Sequence, residues 1–329
     1  MRRLSAWLGS LALACGARTE LGVPVSSDAG TDVVVIPPTH CTFDVPTQLA
    51  TTGSADEIIV QDGFVYWIDE QGIHRVATSG GSAMSVTTTP PGFWPAYDHF
   101  VIDGPDVVWL MGQELGKAPL GGGPSQPIIS SLAIYYTGVV VGSSGLWVWE
   151  GGGPACQLSQ VVGGNLDVLT TSLPFSTEQM IVVGSTLYGG SANNGAFMFT
   201  GSGGLMSFGT AAVADLAWDG TALFFTEYPG SGGKLSVWRV TPEAGGATAI
   251  TPASYGSLGG IAVTQENVYF GSRDDGSVER VGKDGTALTV IHDVPDTQAI
   301  GVAVDASCVY WVAFDNATND SGSIWVAPQ

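Results

Sequence analysis

The sequence predicts an all-β protein, a seven-bladed β-propeller built from four-stranded blades. Three observations predict it. The 329 residues include 47 Gly and 18 Pro, only 12% are charged, and the 44% that are hydrophobic fall in short runs between Gly, Ser, Asp and Asn turns. Such a chain is apolar enough to bury a core and too often interrupted for long helices. Next, one phrase, Val60-Gln61-Asp62-Gly63-Phe64-Val65-Tyr66-Trp67, keeps returning: an apolar strand, a turn, then a strand carrying aromatics. Its relatives centre on Tyr66, Val108, Trp147, Tyr188, Phe224, Tyr269 and Tyr310, at intervals of 36 to 45 residues. Self-similarity at about 40 residues with four short strands per unit is the mark of a radial array of sheets. Finally, the seventh repeat supplies three strands, while residues 47–52 resemble a fourth strand that stands alone before the first repeat. Pairing the two would close the ring.

From the start, Met1-Arg2-Arg3 and the apolar run Leu4–Ala14 read as a signal peptide over residues 1–14, too short to span a bilayer. Leu11-Ala12-Leu13-Ala14-Cys15 resembles a bacterial lipobox, with Ala12 where such boxes usually carry Leu. The resemblance implies a lipidated Cys15, and Gly16 after it implies the outer membrane or cell surface. Ordinary signal peptidase would cut the same bond and give a secreted protein. Residues 15–40, with Pro37-Pro38 among Gly, Ser, Asp and Thr, read as a flexible tether. Residues 41–329 are the propeller. Within it, third strands such as residues 72–76, 234–240 and 276–281 follow each of the first six aromatic strands, and fourth strands such as residues 287–291 follow in most of them, least clearly in repeats three and four.

The phrases Tyr66-Trp67-Ile68-Asp69 and Val309-Tyr310-Trp311 resemble those of the YWTD and NHL propellers. Only the first repeat keeps an Asp after the aromatic pair, and seven units are counted where YWTD domains have six. The resemblance therefore implies a fold and no particular activity.

Composition limits the partners. A net charge of −20 repels phosphate backbones, which excludes nucleic acid as a partner. No Cys-x-x-Cys, Gly-x-Ser-x-Gly, phosphate loop or Gly-x-Gly-x-x-Gly occurs. The acidic turns Asp69-Glu70, Asp274-Asp275-Gly276 and Asp315-Asn316 lack calcium-loop spacing, so no cofactor is predicted, although such turns are compatible with a divalent cation. Streptogramin lyases are seven-bladed propellers that use His and Glu with a metal, and no matching local constellation occurs here. Of the four histidines, His74 is expected to face solvent from a third strand. No residue is assigned a catalytic role. Cys41 precedes the closing strand and Cys308 lies in the last repeat, so ring closure would bring them into one blade, and an extracytoplasmic compartment permits a disulfide. Cys156 is then the odd thiol.

In a propeller, the blade-to-blade loops and the loops after second strands share one face. That rule gathers Trp94, Tyr97 and His99 with Asp69, Glu227, Tyr228, Arg273, Asp274 and Asp315 around the channel mouth. Aromatics beside acids suit a sugar, a peptide or a cationic ligand. The expected protein is an exported, lipid-anchored, monomeric binding or interaction module whose partners are the membrane, through Cys15, and an unknown protein, peptide or carbohydrate. The alternative is a propeller lyase or hydrolase with its active site in the channel.

Overall fold

A computed structural model describes residues 40–88, 99–111, 114–130, 136–142, 145–150, 156–173, 179–184, 186–191, 195–200, 204–208, 212–228, 233–242, 245–316 and 321–329. Cys15, Trp94 and Tyr97 lie outside them. The described residues form seven four-stranded antiparallel sheets. Six are consecutive in the chain, and their innermost strands are Ile58–Gln61, His99–Asp103, Tyr136–Gly142, Gln179–Val183, Val213–Trp218 and Leu258–Val263. Blade seven consists of Thr297–Val304, Cys308–Asp315 and Gly322–Pro328, and its outermost strand is Thr47–Thr52. That strand runs antiparallel to Gly322–Pro328 from Thr47 opposite Val326 to Thr52 opposite Gly322. The ring is closed as the sequence predicted.

The core is divided among the seven blade interfaces, one apolar cluster to each. Strand periodicity explains this. Successive side chains point to opposite faces, so a strand buried on both sides reads as a continuous apolar run. Tyr66 faces blade two while Trp67 faces blade seven. The same division holds at Tyr269 and Phe270, and at Tyr310 and Trp311. Each of the seven marker residues, from Tyr66 to Tyr310, packs towards the following blade. The recurring aromatic is therefore an interface residue. Near the channel the sheets approach so closely that a Cβ at Gly259 or Gly271 would collide with the Ala299 carbonyl. Side chains there are excluded by backbone, so glycine is required.

The chain's first and last strands meet inside blade seven, where no peptide connection joins Thr47–Thr52 to Gly322–Pro328, and three devices hold this seam. The closing strand is one. Cys41 and Cys308 are joined by a disulfide with a Cα–Cα separation of 5.1 Å across 267 residues of chain. The third is a pair of carboxylates from blade one, Asp69 and Glu70, which hold the segment that follows the closing strand.

Candidate binding site at the channel mouth

Antiparallel order puts the starts of innermost strands and the ends of second strands on one face. At this face several innermost strands carry bulges, between Tyr136 and Gly138, Val213 and Asp215, Leu258 and Ile261, and Ala299 and Val302. A bulge bends the strand and re-aims its side chains. Asp215, at one of them, accepts from the Ile261 N–H of the next blade at 3.0 Å. Glu57 makes the equivalent link from blade one, accepting from the Phe100 N–H of blade two at 3.2 Å. Acids at the rim thus splice neighbouring innermost strands.

Asp69 sits at the outer part of this face and is buried. Its carboxylate accepts from the Thr52 hydroxyl at 2.9 Å, the Gly53 N–H at 3.3 Å, the Trp67 indole N–H at 3.3 Å and the Gln71 N–H at 2.9 Å. His74 Nε2 lies 3.0 Å away, with its ring stacked on Trp67. Burial alone would raise the Asp69 pKa, but His74 and the other hydrogen bonds outweigh it and hold the value at about 2. Glu70 accepts from the Ser54 N–H at 2.8 Å. His74, expected to face solvent, is instead mostly buried, because the Asp69 carboxylate and the Trp67 ring draw it in.

The other acids named from the sequence divide. Glu227 accepts from the Ser236 N–H at 3.0 Å and the Trp238 indole N–H at 3.2 Å. Asp274 accepts from the Gly256 N–H. Asp315 lines a shallow, open depression of about 260 Å³ with Asp296, Thr297 and Ser321. Tyr228 is 43% exposed, and Arg273 is exposed at the end of the second strand of blade six, where its N–H donates to Ser257 O at 3.1 Å.

His99 and Arg273 converge on a pair the sequence reading passed over, Asp56 and Glu57. His99 Nδ1 lies 3.5 Å from Glu57 Oε2, and its ring centroid is 6.0 Å from that of Trp149. Asp56 itself is exposed to solvent. Burial raises its pKa, the charges of Arg273 and His99 oppose the rise, and Glu57 adds to it. One carboxylate of blade one therefore feels groups from blades two and six. Its only signal in the sequence was an acidic pair immediately before an apolar strand, which carries no motif. Among the described residues, no group of three or more His, Cys, Asp or Glu side chains is placed to hold a metal ion.

No family model matches the chain, and no curated protein matches it. Solved structures do. Virginiamycin B lyase from Staphylococcus aureus aligns with a TM-score of 0.64 at 17% identity, over 85% of this chain and 97% of that one. YCF48 bound to a D1 peptide aligns with a TM-score of 0.64 at 10% identity, over 86% and 96%. The nidogen/laminin complex aligns with a TM-score of 0.54 at 13% identity, over 70% and 93%. The chain is a seven-bladed β-propeller. At these identities the likeness establishes the fold and leaves activity to the site.

Proposed function

We propose that the protein is an exported binding module, lipid-anchored through Cys15 at the bacterial cell envelope, that recognises its ligand on the channel-mouth face. One observation carries the reading. Asp69 and Glu227 spend their carboxylates on the frame's own N–H groups, whereas the same face presents Tyr228 and Arg273 to solvent. A rigid frame beneath an exposed aromatic and an exposed guanidinium suits recognition. A propeller solved with a bound peptide, YCF48, supports a peptide among the ligand classes.

The test is a calorimetric screen of peptides and oligosaccharides. Binding should be lost on Tyr228→Ala and Arg273→Ala, with both variants melting like the parent. Chemical conversion of the ligand would overturn the reading in favour of a lyase or hydrolase. That alternative is favoured by the contact of His99 with Glu57 beside Asp56, the kind of pair that acid–base chemistry uses. Anchoring is tested separately. Cys15→Ala should move the protein from the membrane to the soluble fraction.

A further inference from the structure

Glu279 is a buried carboxyl with no cation to answer it among the described residues. It stands on the third strand of blade six, Ser277–Gly282, between Phe270 of the second strand and Val290 of the outermost one. Its partners are hydroxyls. The Tyr255 O–H donates to Glu279 Oε2 at 2.8 Å. Ser277 Oγ lies 3.3 Å from Glu279 Oε1 and 2.8 Å from Asp275 Oδ1. A serine hydroxyl carries one hydrogen, so it cannot donate to both carboxyls. Asp275 has the shorter contact, accepts from the Ser277 N–H as well, at 3.1 Å, and so takes the hydrogen. Glu279 Oε1 then keeps a hydrogen bond only when Glu279 holds a proton of its own and donates it to Ser277 Oγ. Protonated, Glu279 completes one chain from Tyr255 through Ser277 to Asp275. Ionised, it breaks the chain at Ser277 and leaves a buried charge without a counter-ion. The two acids are driven apart in the same sense. Burial raises the Glu279 pKa and the Asp275 charge adds to the rise, although the two hydroxyls oppose it. Burial also acts upward on Asp275, but hydrogen bonds from Ser277 and Ser272 outweigh it and lower the value.

Tyr255 belongs to the loop that leads from blade five into blade six, and that loop supports the mouth. The Ser254 and Tyr255 N–H groups donate to Leu235 O at 3.2 and 3.4 Å, which ties the loop to blade five. The Gly256 N–H donates to the Asp274 carboxylate, and Ser257 O accepts from the Arg273 N–H at 3.1 Å. The Tyr255 ring meets Phe270 edge-on, with centroids 5.5 Å apart. Its hydroxyl is the loop's tie to the third strand of blade six, two residues from the carbonyl that holds Arg273.

We propose that Glu279 is a proton-operated latch, which when protonated ties the loop of residues 254–257 to blade six beneath Arg273 and when ionised lets that loop go. The latch stands on the frame alone, and its effect on ligand affinity at Arg273 rests on the binding-module reading. The titratable groups that face Glu279 are Tyr255 from the loop and Asp275 from the turn before the strand, while Phe270 and Val290 flank it. None of them can neutralise its charge. A carboxyl whose folded pKa is raised holds its proton more readily in the folded protein, so the loop is firmest below the ordinary 4.5 and loosens as pH rises through the folded value.

The experiment is amide hydrogen exchange on the full chain in detergent, from about pH 4 to pH 8, corrected for the intrinsic effect of pH on exchange. Protection of residues 254–257 should fall roughly fivefold to tenfold as pH rises, the worth of one hydrogen bond, while the innermost strand of blade six keeps its protection. Glu279→Gln accepts from Tyr255 and donates to Ser277 at every pH, so its loop should stay protected throughout. Tyr255→Phe should leave the loop weakly protected over the whole range. Infrared titration of the parent, isotope-labelled at its glutamate carboxyl groups, needs no variant. It should show one carboxylic acid that outlasts the others as pH rises, over the range in which the loop loosens. Absence of that band, or a pH dependence of protection shared by the parent and Glu279→Gln, would overturn the inference. Exchange requires no ligand, so the outcomes separate. If the loop responds to Glu279 but nothing binds through Tyr228 and Arg273, the latch stands and the binding-module reading falls. If a ligand binds there while the loop ignores pH, the reverse holds.

Discussion

The seam at the closing strand and the rim of the channel draw on acids of the same blade, but they use them in opposite ways. At the seam, Asp69 and Glu70 accept from Thr52, Gly53 and Ser54, and Asp69 is held ionised far below the ordinary carboxylate range. At the rim, Asp56 has no hydrogen-bond partner among the described residues, and its pKa is raised. Saturated carboxylates build structure, because removing them strands buried donors. A solvent-exposed carboxylate without a hydrogen-bond partner among the described residues does no such work. The difference separates the part of the molecule that closes the ring from the part that can recognise a ligand.

The comparison is tested most severely at the disulfide. Cys41→Ala with Cys308→Ala removes a cross-link that closes nearly the whole chain, and should cost about 3–5 kcal/mol in urea denaturation. A loss under about 1 kcal/mol would show that strand pairing alone closes the seam. Asp69→Ala comes next, at about 2–4 kcal/mol by the same measurement, since it leaves the Trp67 indole and the Gly53 N–H without an acceptor. Asp69 also sets a pH dependence. Its folded value of about 2 lies below the ordinary 3.8, so its contribution is complete above about pH 4 and is lost as pH falls through 2. That contribution is about 2 kcal/mol. Asp69→Asn should flatten this acid limb of the stability curve.

Most of the ring was legible in the sequence. Tyr66, Tyr269 and Tyr310 repeat because every blade must fill the same interface, and a repeated physical demand leaves a repeated residue. The closing strand was legible for the same reason, as a fourth strand out of phase. The site was not, because the side chains exposed there, such as Tyr228 and Arg273, have no repeated counterpart in the other blades' phrases. Asp69 looked like a ligand-facing acid because its partners Thr52 and Gly53 arrive from the closing strand, and only the closed ring brings them together. Asp56 escaped notice because its neighbours, His99 and Arg273, come from two other blades. The face rule did bring His99 and Arg273 to one end of the molecule, but it says nothing of which acids there are already satisfied.

The smallest effects are expected at the rim, where they decide the most. Arg273→Gln and Asp56→Asn should each change stability at pH 7 by no more than about 0.5 kcal/mol, because neither residue holds a partner in place. The sign at Asp56 is the sharper measurement. A carboxyl whose folded pKa is raised binds its proton more readily in the folded state, so stability is greatest below pH 3.8 and declines as pH rises through the folded value. Asp56→Asn abolishes that decline, so the variant should gain on the parent as pH rises, whereas Asp69→Asn should fall behind over the same range. Urea denaturation of both variants from pH 2 to pH 7 would read the two slopes directly. If they share a sign, Asp56 is as firmly built into the frame as Asp69, and the distinction between seam and rim is lost. Opposite slopes from two acids of one blade would show that the frame spends one carboxylate on closing the ring and draws no stability from ionising the other.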